Sequence, residues 1–168
     1  MGSTKIMTSI PAAVLKEIGL DRWPPIMRDK VFWFAVAAGV FVWLLLWLTV
    51  APTFSIQNRS ITLLLLTSII YYPVLEEVLF RGIVQGWLLR LPWGNKKYLT
   101  LTSANWLTSS LFVAAHFWYQ PMLWALMVIV PSLVYGFFRD RYSSIYPCII
   151  LHAFYNGGFV LINLLAQR

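Results

Sequence analysis

Two adjacent carboxylates and an arginine stand in the stretch YYPVLEEVLFRGIV, residues 71–84, among otherwise apolar, aromatic or small neighbours. Asp and Glu number six in the chain, and Glu76 and Glu77 are the two that lie inside an apolar segment. On a helix, Glu77 and Arg81 are four residues apart in the favourable acid-first order, so they can pair along one face. Glu76 is turned about 100° away and shares its face with Tyr72 and Phe80. One carboxylate is then neutralised by Arg81 while its neighbour is left for other work, and a partly desolvated carboxylate suits a general base. The same three residues would also serve as a purely structural ion cluster that holds a helix bundle together.

The chain has two histidines, and both fall in apolar runs. His116 closes FVAAH and shares a helix face with Phe112, with Asn105, Thr108 and Ser109 on much the same side. His152 opens HAFYN and shares a face with Asn156, with Cys148 one turn before and Asn163 further on. Three helices thus carry polar stripes, which in a membrane bury against one another, and their convergence on one pocket is expected. A carboxylate, two imidazoles and a carboxamide can hydrolyse an amide without a side-chain nucleophile. The carboxylate takes a proton from water, and the His and Asn groups donate to the developing oxyanion. Other chemistries fit less well. Ser103, Ser109 and Ser110 lack a nucleophile-elbow sequence. Cys148 and His152 could form a thiol–imidazole pair. Two His and a Glu form a known zinc ligand set, but no H-E-x-x-H helix is present. The expectation is therefore no metal and no cofactor, with zinc as the alternative.

The elements that must hold these groups are helices in a bilayer. Of 168 residues, 60% are hydrophobic and 11% charged, against roughly 45–50% and about 25% for a soluble domain. The sequence predicts an all-α polytopic transmembrane bundle of about five spans, near residues 31–50, 61–89, 99–118, 121–138 and 144–165. Residues 1–30 read as a cytosolic amphipathic lead-in lying on the headgroups, with a short helix from Pro11 to Gly19. Residues 31–168 read as the transmembrane domain. The run beginning near residue 31 has no small-residue cleavage site after it and is expected to stay as a span. The second run exceeds 40 Å at about 1.5 Å per residue, so it must tilt, bend at Pro73 or extend into the interface.

Ten of the 13 Lys and Arg fall on one side if the N-terminus is inside: Lys5, Lys16, Arg22, Arg28, Lys30, Arg90, Lys96, Lys97, Arg139 and Arg141. That bias predicts an N-in, C-out topology. The net charge of +7 is set in short loops rather than along one face, which argues against nucleic acid. A single cysteine excludes an intrachain disulfide framework. Residues 61–80 hold twelve Leu, Ile, Val and Phe, worth on the order of 4–7 kcal/mol of insertion, which about 5–7 kcal/mol for two charged side chains cancels. The polar side of this helix must therefore be covered by protein or a water-filled cavity.

Taken in order, Glu76-Glu77-x-x-x-Arg81, Phe112-x-x-x-His116 and His152-x-x-x-Asn156 resemble the motifs of the CPBP family of intramembrane proteases (CAAX proteases and bacteriocin-processing enzymes, also called the abortive-infection family). The resemblance covers about residues 61–160. It implies a metal-free, glutamic-type intramembrane endopeptidase in which Glu76 activates water, His116 assists, and His152 with Asn156 forms the oxyanion site. Glu77, Arg81 and Phe112 are implied as supporting residues. The implied partner is a membrane-anchored protein or peptide in the lipid bilayer, carrying a C-terminal sorting tail, a CAAX-like end or a leader. The implied location is a bacterial inner membrane. The rival reading is a non-catalytic scaffold, immunity protein or small transporter with a structural polar cluster.

Overall fold

The computed structural model of the protein describes residues 9–49 and 60–166; Lys5, one of the ten charges of the topology argument, lies outside them. Helix α1 (Ser9–Ile18) is followed by one 3-10 turn at Ile26–Arg28, then α2 (Lys30–Thr49) and the long α3 (Ile61–Leu88). A two-stranded antiparallel hairpin, β1 (Lys97–Tyr98) and β2 (Leu101–Thr102), leads into α4 (Ser103–His116), α5 (Met122–Met127), α6 (Ile129–Tyr142) and α7 (Tyr146–Ala166). The fold is all-α apart from that hairpin. Among the described residues, four segments are long and apolar enough to cross a membrane: Lys30–Thr49, Ile61–Leu88, Met122–Tyr142 and Tyr146–Leu165.

The span expected over residues 99–118 takes a different form. The hairpin uses its first residues, and α4 has 14 residues, about 21 Å of helix against roughly 30 Å of hydrocarbon. Its start is set by Thr102, whose Oγ1 accepts from the Asn105 backbone N–H at 3.0 Å as an N-cap.

Burial is inverted relative to a water-soluble protein. Phe34 and Leu48 of α2 are 75% and 80% exposed, while Glu77, Arg81, Gln85, Asn105, Thr108, Ser109 and Ser132 are all at 0%. Apolar surface has lipid to face, and polar groups have only one another.

Helix α3 does not keep one hydrogen-bond pattern. Wider π-turns occupy Leu66–Tyr71 and Val78–Gln85. The first has a local cause. Pro73 has no N–H and its ring crowds the carbonyl four residues back, so the regular ladder cannot run through. The Tyr72 N–H reaches back to the Thr67 carbonyl instead.

The chain divides into two compact units. The first joins the segment ending at Pro24 to Glu76–Cys148. Within it, Ala104, Phe112, Ala125, Tyr135, Phe138 and Ile145 are buried, and α4 and α6 approach closely enough that a Cβ on Gly136 would overlap the Asn105 side chain. The lead-in helix, expected on the headgroups, is docked here. Ile18 and the Glu17 carbonyl lie 3.3 and 3.2 Å from where Cβ atoms on Gly82 and Gly86 of α3 would stand. Its end is a Schellman cap: Leu20 N–H bonds the Leu15 carbonyl, Gly19 N–H bonds that of Lys16, and Gly19 takes φ +78°.

The second unit joins Pro25–Leu75 to the chain from Ile149 onward. Tyr155 Oη donates to the Ala35 carbonyl at 2.9 Å, Trp43 stacks on Phe154 at 4.5 Å, and Leu64 packs with Val160 and Leu164.

Two helical glycines separate packing from propensity. Gly136→Ala forces a Cβ into Asn105 and should cost about 1–3 kcal/mol. Gly157→Ala meets only Ile69 at 3.6 Å, an ordinary contact, and should be neutral or stabilising by up to about 1 kcal/mol. Thermal unfolding in detergent distinguishes them.

Candidate active site

The first unit builds a buried polar frame around Arg81. Its Nε lies 3.3 Å from Glu77 Oε2, both side chains fully buried, so the i,i+4 pair expected from the sequence is present. Its Nη2 donates to the Ser132 carbonyl at 2.9 Å and Ser132 Oγ at 2.6 Å. The guanidinium carbon sits 4.7 Å from the Phe112 ring centroid and 5.4 Å from that of Tyr135, a cation–π arrangement that strengthens when water is excluded. One turn on, Gln85 Nε2 donates to the Gly136 carbonyl at 2.9 Å and Asp140 Oδ1 at 2.7 Å.

Phe112 connects this frame to His116. Its ring meets Phe80 edge-on at 5.0 Å and lies 4.4 Å from the His116 ring, while Tyr119 stands 5.1 Å from the same imidazole on its own loop. His116 Nδ1 is 2.8 Å from the Phe112 carbonyl. A carbonyl can only accept, so Nδ1 carries the hydrogen, and in the neutral ring Nε2 is the acceptor. The i,i+4 spacing of Phe112 and His116 therefore sets both ring orientation and tautomer. Glu76 differs from Glu77 in being half-buried.

Among the expected site residues, Glu76, Glu77, Arg81, Phe112 and His116 belong to the first unit, and His152 and Asn156 to the second. His152 is 5% exposed. Asn156 Nδ2 donates to the Ser68 carbonyl at 3.0 Å. That carbonyl is without its helical partner for two reasons: the N–H four residues on, at Tyr72, is drawn to Thr67, and the residue five on is Pro73, which has none. Pro73 thereby presents an acceptor that fixes the Asn156 amide and leaves its second N–H for another acceptor. The thiol alternative has its atom held otherwise: Cys148 is fully buried and donates to the Tyr135 carbonyl at 3.1 Å. Among the described residues no three His, Cys, Asp or Glu side chains stand together as a metal ligand group.

Sequence reasoning missed Ser132, Tyr135, Gln85 and Tyr119. Gln85 could have been found, since it continues the Glu77–Arg81 face at the next i+4 position. Nothing local marks Ser132, because a serine on an apolar helix is identified only by the neighbour it meets.

Residues 58–158 match the model of a family described as type II CAAX prenyl endopeptidase Rce1-like. No curated protein and no solved structure matches the chain.

The link from Pro73 through Ser68 to Asn156 can be measured. Asn156→Ala should cost about 1–3 kcal/mol by leaving a carbonyl without a donor. With Pro73→Ala also present, an N–H returns to the ladder and that cost should fall by about 1 kcal/mol, as a double-mutant cycle in chemical unfolding would record.

Proposed function

Because the chain belongs to the type II CAAX prenyl endopeptidase Rce1-like family, a family of intramembrane proteases, we propose that it cleaves a peptide bond in a membrane-anchored substrate by a glutamate-activated water. Glu76 takes a proton from the water as its oxygen attacks the scissile carbonyl, and His116 Nε2 accepts the hydrogen bond that orients the water. The carbonyl becomes a tetrahedral oxyanion, to which His152 and the second N–H of Asn156 donate. Glu76 then delivers its proton to the departing amine as the C–N bond breaks. Glu77 and Arg81 hold the frame, and no metal enters any step. The substrate is a short segment at the membrane surface, and a C-terminal sorting tail is favoured over a CAAX-like end or a leader. The proposed setting is a bacterial inner membrane; four helices long and apolar enough to cross a bilayer support a membrane location.

The observation that carries this assignment is the 2.8 Å contact of His116 Nδ1 with the Phe112 carbonyl. A ring whose Nδ1–H is committed to its own helix presents an acceptor nitrogen, which is what a water-orienting base requires. The unlike environments of the adjacent carboxylates support it: Glu77 is fully buried against Arg81, and Glu76 is half-buried.

Glu76→Gln should lower cleavage of a co-expressed membrane-anchored tail by about 10²–10⁴-fold, and His116→Ala by a comparable factor, with protein level unchanged. Asn156→Ala should cost about 10²–10³ in kcat. Cleavage is read by mass spectrometry of the released peptide. Full activity in Glu76→Gln would remove the glutamate mechanism, and activity lost to a chelator and restored by zinc would replace it with a metal one.

A further inference from the structure

Beneath the hairpin, at the end of the first unit where α3 and α6 both finish, lies a cavity of about 570 Å³. Its size is in the range of small-ligand sites, and none of the proposed catalytic residues lines it. Lys97, Arg139 and Arg141 line it together with Asp140, Thr100 and Ser143, so three cations face one carboxylate. Asp140 is already held by neutral donors: Gln85 Nε2 at 2.7 Å on one oxygen and Thr102 Oγ1 at 2.7 Å on the other. Arg139 bonds backbone carbonyls, Nε to Arg81 at 3.0 Å and Nη2 to Glu17 at 3.0 Å. These are neutral acceptors, so those bonds fix the guanidinium without cancelling its charge. The cavity has an excess of positive charge on a rigid wall, with the hydroxyls of Thr100, Thr102 and Ser143 beside it.

The hairpin turn is shaped for this wall. Leu99 and Thr100 both have positive φ, 52° and 80°, in a two-residue connection with Tyr98 paired to Leu101. Such turns favour Asn-Gly, because side chains with a Cβ, and branched ones most of all, are strained there. Strain of this kind persists where surrounding structure enforces it, often at binding sites. Here it sets Thr100 on the cavity and leaves Leu99 87% and Tyr98 60% exposed. An exposed leucine and tyrosine beside the ends of two membrane-length helices belong at the level of the headgroups.

We propose that this cavity binds a phosphate group, with Lys97, Arg139 and Arg141 as its cationic ligands. The position of the hairpin makes an anionic phospholipid headgroup the expected source. Basic pockets between membrane helices take such headgroups. The proposal does not depend on the catalytic assignment.

The test uses the full chain in neutral detergent, with binding read by the shift in unfolding midpoint and by native mass spectrometry. The probes are phosphatidylglycerol, phosphatidylcholine as the zwitterionic comparison, and inorganic phosphate at constant ionic strength. Lys97→Gln with Arg141→Gln should weaken phosphatidylglycerol binding by about tenfold or more. Arg90→Gln with Lys96→Gln removes the same charge from exposed positions outside the cavity and should change it by less than about twofold. Lys97→Gln alone, on an exposed strand of two residues, should give about threefold and serves if the double variant unfolds. If inorganic phosphate produces the same Lys97- and Arg141-dependent shift while phosphatidylglycerol does not, the site stands and its ligand is soluble. Equal losses in the two double variants, or no preference for either phosphate probe over phosphatidylcholine, overturns the site.

Discussion

A guanidinium at 0% exposure, on a helix long enough to cross a bilayer, has to be met by protein on every side, because lipid offers it nothing. Arg81 is met by a carboxylate of its own helix, by a carbonyl and hydroxyl of α6, and by two aromatic faces, one on α4 and one on α6. Each partner comes from an element that would otherwise have little reason to choose one rotation over another, since the outer faces of these helices are mostly apolar. The buried pair adds little to stability by itself, because desolvation offsets most of the Coulombic gain. What it supplies is register: α3, α4 and α6 can satisfy Arg81 in one arrangement.

The backbone of α3 obeys the same rule. Opening the ladder at Pro73 leaves the Ser68 carbonyl without a helical donor, and in hydrocarbon that vacancy cannot be left to water. Asn156 fills it. In the first unit, the carbonyls of Arg81 and Glu17 are reached by one side chain, Arg139, which ties the lead-in helix to α3. The conformational irregularities and the polar side chains of this protein are matched to one another, and the π-turns lie where that matching is densest.

Much of this was legible in sequence because it depends on spacing within one helix. Glu77 and Arg81, Phe112 and His116, and the four long apolar segments all follow from intervals that a helix fixes in advance. What was not legible depends on contacts between helices or on departures from regular geometry. The residues expected to complete a span at 99–118 include a hairpin turn built on Leu99 and Thr100, residues with no turn signature, so the apolar run there concealed a break. The lead-in helix keeps residues 12–17 exposed, and its contact with α3, made by Ile18 and the Glu17 carbonyl against Gly82 and Gly86, leaves no hydrophobic pattern to read. Ser132 became a ligand of Arg81 by position alone. The tautomer of His116 required an atom-level distance, although the i,i+4 step to Phe112 that creates it was in view.

Adjacent glutamates in unlike environments are hard to explain as a structural cluster alone. A cluster serving only to pack helices would be improved by burying both charges with partners or by keeping one, since each ionised side chain in an apolar helix carries an insertion penalty of about 2.5–3.5 kcal/mol. Glu77 offsets its penalty through Arg81, and with it fixes how α3 is rotated. Once that rotation is set, the residue before it is presented about 100° around the helix, half-buried, on the same helix face as Phe80 one turn on. On the proposed mechanism the frame residue and the water-activating residue are neighbours because the first sets the helix rotation that orients the second. Loss of Arg81 would release that rotation, because the Glu77 carboxylate, the Ser132 hydroxyl and carbonyl and the Phe112 and Tyr135 faces all meet at its guanidinium.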